Sequence, residues 1–199
     1  MTADIRRATE AEIPAVGKLI AESFNHLDAN AYLVPPLTDR VPVMSEFFTL
    51  LTAHAHEYGR IDVIDAPEGG LAAVAVWFDL TREAPDPENY EERLAAFSGP
   101  YLANFEALDA LFAKHHPHEA HWHLAFLAVE PAHQHHGLGS ALMDRMHAEL
   151  DPAGIPTYLE ATNQDNIRLY RRHGFTDMDP FDILLPDGTP FFRMWRDAR

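Results

Sequence analysis

Gln134, Gly137 and Gly139 stand in the spacing Gln-x-x-Gly-x-Gly, with an apolar run before them and a helical pattern after. Two glycines let the chain turn sharply and let backbone N–H groups approach a ligand with no Cβ in the way. A helix beginning there leaves its first N–H groups unpaired and carries partial positive charge. The chemistry on offer is anion binding, and phosphate suits it best. No Lys follows Gly139, which excludes the Gly-x-x-x-x-Gly-Lys-Ser/Thr loop, and the third glycine of the dinucleotide fingerprint is missing.

Histidine is the other residue type that invites a chemical reading. There are 13, and His115, His116, His118, His121 and His123 crowd one stretch. That stretch has the look of a metal tract. Metal sites need convergent ligands, however, and neither a Cys nor a His-x-x-x-His pair supports one here. His54 and His56 are two apart, so they fall on different faces of a helix. No metal is expected.

The glycine turn needs a strand on one side and a helix on the other. His123 to Val129 is an apolar run of strand length closed by Pro131. Leu138, Leu142, Met146 and Leu150 recur every four residues, which predicts an amphipathic helix. Upstream, Ile5 to Ala8 reads as a short strand. Thr9 and Glu12 form a capping box for a helix from about Glu10 to Phe24. Residues 25–40 break the pattern around Pro35-Pro36 and read as a loop, and loops of that length are often functional. Phe24, His26, Tyr32 and Leu33 are therefore candidates to line a substrate cleft. Residues 41–58 read as helix. Residues 61–65 and 71–80 read as a hairpin around Gly69-Gly70, the second strand apolar on both faces.

Residues 81–118 read as an insert of two helices, one around Tyr90, Leu94 and Phe97, the other carrying Leu102, Phe105, Leu108, Leu111 and Phe112. After the central helix, residues 155–162 read as a strand. Asn163 or Asp165 caps a helix that ends at Gly174. A strand over 175–178 and a closing hairpin about Pro186 to Thr189 finish the chain.

The 199 residues favour one domain, and 47% hydrophobic content suffices for a core. No stretch approaches a membrane span, and Met1 to Arg7 lacks an apolar leader core, so a cytoplasmic location is expected. Without Cys, disulfides and thiol nucleophiles are excluded. The net charge of −16 argues against nucleic acid and favours a cationic partner such as an amine. A polyanion would then need local relief from backbone donors, from His133, His135 and His136, and from Arg168, Arg171 and Arg172.

Gln134-x-x-Gly137-x-Gly139-Ser140, Leu159-Glu160-Ala161-Thr162 and Asn166-x-x-x-Tyr170-x-x-x-Gly174-Phe175, in this order of elements, resemble the GNAT superfamily of acetyl-CoA-dependent N-acetyltransferases. The likeness runs over nearly the whole chain. More narrowly, Ala72 to Trp77, Ser98-Gly99, Gly137 to Ala141 and Leu159-Glu160 resemble puromycin N-acetyltransferase and its bacterial relatives. The resemblance implies an α/β (α+β) GNAT fold, with a mixed central sheet of six to seven strands flanked by helices.

It also implies acetyl-CoA as cosubstrate and acyl transfer to a primary amine of a small molecule by direct attack in a ternary complex. An amine-bearing antibiotic or aminonucleoside is one such acceptor, and a peptide N-terminus is another. A non-catalytic acyl-CoA-binding or regulatory module is the alternative, and the protein would be a monomer or homodimer. By the same resemblance, the pantetheine arm pairs with Leu127, Ala128 and Val129. The diphosphate sits on Gln134, His135, His136, Gly137, Leu138, Gly139 and Ser140, with Asn163 and Asn166 as further cofactor contacts. Tyr170 matches the family's general acid near the departing sulfur; its alternative is a core aromatic. Glu160 is a base, directly or through water, or an anchor for a cationic amine. Where relatives often carry Lys or Arg in the loop, this chain has His135-His136.

Overall fold

The computed structural model describes residues 4–199; of the Met1 to Arg7 stretch considered above, the first three residues lie outside it. Seven strands form one mixed sheet in the order β1-β2-β3-β4-β5-β7-β6. They are β1 (Ile5–Arg7), β2 (Gly59–Asp65), β3 (Leu71–Asp79), β4 (Trp122–Val129), β5 (Thr157–Ala161), β6 (Thr176–Leu184) and β7 (Pro190–Arg196). Among the described residues, all neighbouring strands run antiparallel except β4 and β5, which are parallel. Ala72 to Trp77 are all buried, as expected of a strand covered on both faces.

One face is covered by α1 (Ile13–Phe24), α2 (Asp28–Leu33), α3 (Leu37–Tyr58), α4 (Tyr90–Ser98) and α5 (Leu102–His115). The other carries α6 (Leu138–Leu150) and α7 (Gln164–Arg172). The capping box at Thr9 and Glu12 forms: Thr9 N–H and Oγ both reach a Glu12 carboxylate oxygen at 2.8 Å. It opens a short 3-10 turn that leads into α1.

Residues 25–40 are not a loop. They hold α2 and the first turn of α3, which begins at Leu37 rather than Val41. Pro36 is the residue before the first helical turn of α3, so the Pro35-Pro36 pair ends one helix and starts the next. The Arg40 guanidinium, buried, donates to the carbonyls of Val34, Asn25 and Pro35, each at 2.9 Å. Those bonds satisfy main-chain acceptors that would otherwise need water, and they close the segment tightly. Downstream, the separate strand expected over 175–178 and the first arm of the final hairpin are one strand, β6, irregular between Asp177 and Asp182.

β4 contains the feature that matters most for the site. Val76 pairs with Phe126 but Trp77 pairs with Leu124, so Ala125 is an extra residue, a β-bulge. The bulge resets which side chains face which layer. Leu124 packs with the α6 layer, while Phe126 and Ala128 pack with the α1 and α3 layer.

Candidate active site

β4 and β5 pair only at Trp122–Thr157 and His123–Tyr158, then diverge. Beyond that rung a groove of about 610 Å³ opens, walled by the end of α1, the glycine loop, the start of α6 and one side of α7. Glu130 N–H donates to Ala72 O on β3. By antiparallel alternation the peptide groups of Val129 and Leu127 therefore point away from β3, into the gap. Val129 O there accepts from Gln134 Nε2 at 3.2 Å and from Ser23 Oγ at 3.3 Å. The side chains of Leu127 and Val129 line the groove, while that of Ala128 is buried toward α1.

The glycine loop is built as its composition requires. Gly137 sits at φ 80 directly before α6, where a side chain would be strained. A Cβ on Gly139 would rest 3.5 Å from Leu127 Cδ2, filling the groove floor rather than clashing. His135 itself takes φ 64. Ser140 Oγ lies 3.0 Å from His173 Nε2, and His173 Nδ1 lies 3.1 Å from Asp144. The loop is thus tied to the far end of α7. His147 stands beside them, its imidazole pushed down to about 4, first by burial and then by Arg196. Asp144, His147 and His173 are the grouping of potential metal ligands among the described residues; the sequence tract of histidines is not.

The histidine tract serves a different purpose. His116, His121 and His123 pack their rings around Tyr158, at centroid distances of 5.1, 5.5 and 5.3 Å. Burial pushes His116 down to about 4 and lowers His121 as well. The cluster ends at Glu160, whose Oε2 lies 2.8 Å from His123 Nε2. Burial alone would raise the Glu160 carboxyl, but the adjacent His123 reverses the shift and holds it below the ordinary carboxylate range. Glu160 Oε1 is buried with no protein partner. His123 was treated from sequence only as strand and tract, and its pairing with Glu160 spans 37 positions.

On the α1 and α3 side of β4 lies a second cavity of about 250 Å³, and Glu160 and His123 are in its wall. Phe24 and Leu27 line both cavities, so the two meet there. Tyr170 belongs to the first. It is buried, its ring lies 5.9 Å from Phe175, and burial alone raises its phenol. Tyr170 is thus a buried residue that also forms part of the groove wall. Asn163 Oδ1 accepts from Asn166 N–H at 2.9 Å, capping α7, and both asparagines line the groove.

Gln134, His135, Gly137, Leu138, Gly139 and Ser140 line that groove too, as do Phe24 and His26. His136 does not; its Nδ1 turns back to His133 O at 3.2 Å. Tyr32 lines neither cavity, because α2 carries it against the core, with its carbonyl bonded by Asn104. Of the three arginines considered as charge relief, Arg172 lines the groove, while Arg168 pairs with Asp165 and Arg171 with Asp177. His133 is taken up by Glu68 at 2.8 Å.

Comparison with known proteins agrees with this arrangement. Residues 104–177 match the family model described as an acetyltransferase (GNAT) domain, a span that covers α5, β4, the loop, α6, β5 and α7. A solved structure from Corynebacterium glutamicum, described as histone acetyltransferase HPA2 and related acetyltransferase, is 27% identical with a TM-score of 0.77, covering 100% of this chain and 98% of that one. Arylalkylamine N-acetyltransferase 2 from Aedes aegypti shares the fold at 14% identity and TM-score 0.60, covering 100% of both chains. PaiA N-acetyltransferase from Thermoplasma acidophilum, solved in complex with coenzyme A, shares it at 15% identity and TM-score 0.59, covering 99% of both. With the seven-stranded mixed sheet and the parallel pair that opens over a glycine loop, the chain is a transferase with the fold of the GNAT acetyltransferases, and its residues 104–177 match that domain.

Proposed function

We propose that the chain is an acetyl-CoA-dependent N-acetyltransferase acting on a primary amine of a small molecule by direct attack in a ternary complex. The reading takes residues 1–199 as one GNAT domain with 81–118 as a helical insert, working in the cytoplasm as a monomer or homodimer. One observation carries it: a groove floored by the glycine loop meets a second, separate cavity at Phe24 and Leu27, beside the point where β4 leaves β5. A donor substrate and an acceptor substrate could then meet without sharing a pocket.

In this reading the outward peptide groups of Leu127 and Val129 hold the pantetheine arm, and the N–H groups from Gln134 to Ser140 hold the diphosphate. The helix end contributes about 0.3–1 kcal/mol per favourable charge. Several backbone hydrogen bonds, each about 0.5–1.5 kcal/mol net, supply the larger part. Glu160 receives the ammonium and takes its proton. The amine nitrogen attacks the thioester carbonyl carbon, a C–N bond forms, the C–S bond breaks and Tyr170 protonates the departing thiolate, and the second proton that the nitrogen sheds as it becomes an amide restores the Tyr170 phenol. Burial keeps the Tyr170 phenol protonated, the state a donor needs. Calorimetry with acetyl-CoA, followed by thiol release against a panel of amines that includes amine-bearing antibiotics and aminonucleosides, tests the proposal. Cofactor binding with no turnover on any amine would replace it with a binding module.

A further inference from the structure

The second cavity also carries information about the acceptor, on the premise that the transfer reading above is right. Its wall holds Phe24, Phe48, Phe78, Phe112, Phe126 and Phe191, so most of what it touches is aromatic and apolar. Burying a ring there removes apolar surface from water on both partners and adds edge-to-face contacts. Its lining includes no Lys or Arg, but it includes two carboxylates, Glu160 and Asp109. Glu160 stays ionised and has one oxygen without a partner, whereas Asp109 is already engaged by the Tyr90 hydroxyl at 3.0 Å. Glu160 Oε2 is taken by His123, which leaves Oε1 as one free carboxylate oxygen in a mostly apolar wall, and that fits one cation on an apolar body.

Size narrows the class further. A volume of about 250 Å³ corresponds to roughly eight water volumes, room for a body of about eight to ten non-hydrogen atoms. A phenyl ring, two carbons and a nitrogen meet that size. Asn30 adds a polar requirement. It stands on α2, on the helical side of the cavity, it is 4% exposed, and its Nδ2 has no hydrogen-bond partner. A buried donor left unpaired in this way calls for an acceptor atom. A hydroxyl or ether oxygen on the ring would provide one.

We infer that the acceptor is a compact arylalkyl primary amine that bears a ring oxygen and no carboxylate. The ammonium is held at Glu160 and the ring lies among the phenylalanines. The lining disfavours polyols, which would lose hydrogen bonds to water without replacement. It also disfavours amino acids, whose carboxylate would face Glu160.

The test measures kcat/KM by thiol release at saturating acetyl-CoA for tyramine, 2-phenylethylamine, L-tyrosine, spermidine and an aminoglycoside. Tyramine should lead, with spermidine and the aminoglycoside lower by at least ~10-fold and L-tyrosine lower by at least ~100-fold. Ala29→Phe, which fills the cavity from α2, should cut tyramine kcat/KM at least ~10-fold with acetyl-CoA Kd unchanged. Leu51→Trp, at a half-buried wall position, repeats that test should the first variant not fold. A lead for spermidine, the aminoglycoside or L-tyrosine overturns the acceptor class while transfer itself stands. Equal rates for tyramine in both filled variants also overturn it. Absence of thiol release on every amine, with acetyl-CoA still bound by calorimetry, overturns the transfer reading along with it.

Discussion

His123 Nε2 lies 2.8 Å from Glu160 Oε2, beside the last rung that β4 and β5 share. The contact sits where the two strands begin to part, so it places a carboxylate at the wall of the second cavity and fixes its direction. Removing Glu160 or its partner should give two different signatures.

Glu160→Gln deletes the charge that would hold the ammonium. The expected result is a fall of about 30-fold or more in kcat/KM for the amine, with acetyl-CoA Kd unchanged. Steady-state kinetics with varied amine checks it. His123→Phe keeps the carboxylate but removes the imidazole, whose charge and hydrogen bond lower the carboxyl, and leaves the burial that raises it. The Glu160 carboxyl should therefore rise, and activity should be lost at a higher pH as acid is added. A pH profile of kcat/KM with its acid limb unmoved would show that His123 does not tune Glu160.

Tyr170→Phe retains the packing on Phe175 and removes the proton donor. We expect kcat to fall by about 10–1000-fold, around the usual range for one acid–base group. Cofactor affinity and thermal midpoint should stay near wild type. Unchanged turnover would make Tyr170 a packing residue only.

The glycine loop gives a paired comparison. Gly137→Ala meets no neighbour within 4 Å but forces a side chain into φ 80, costing about 1–2 kcal/mol. Gly139→Ala adds a methyl 3.5 Å from Leu127, with no backbone strain, on the floor of the groove. The first should lower stability, seen as a lower thermal midpoint. The second should leave stability alone and weaken acetyl-CoA binding in calorimetry.

Acid should destabilise the fold through His116 and His147. Both are held neutral, at about 4 rather than 6.5, chiefly by burial. The unfolded chain takes up those protons first, so their contribution is complete above about pH 6.5 and drains away as pH falls toward 4. The loss is of order 1–3 kcal/mol for each. Urea midpoints at pH 7.5 and 4.5 measure it. His147→Phe, which removes a buried Nε2 without a partner beside Phe175, should flatten the difference.

Local signals in the chain reached most of the architecture. The capping box at Thr9, the four-residue spacing from Leu138 to Leu150 and the apolar run of β3 each act over a few positions, so they are readable without the fold. Residues 25–40 read as a loop because Pro35-Pro36 signals a break, while the bonds that close the helix ends around that break come from Arg40 to carbonyls up to 15 positions away. The site divides the same way. The glycine loop and the cap at Asn163 are local and were legible. The partnership of His123 with Glu160 and the role of the histidine tract around Tyr158 depend on which strands are neighbours, while Tyr32 leaves the lining because α2 packs it on the core and His136 because it turns back to His133 O.

The single extra residue at Ala125 has a consequence for how such a scaffold can diverge. Upstream of it, His123 lines the second cavity, proposed for the amine; downstream, Leu127 and Val129 line the groove proposed for the thioester. His123 on one side and Leu127 and Val129 on the other can therefore change to suit different ligands, while Phe126 beside the bulge stays in the wall of the second cavity. Drawing Ala125 into the regular ladder would turn one half over against the other, whereas deleting it would leave Leu124 and Phe126 on the opposite faces they now occupy, so the extra residue bends the strand between its two walls.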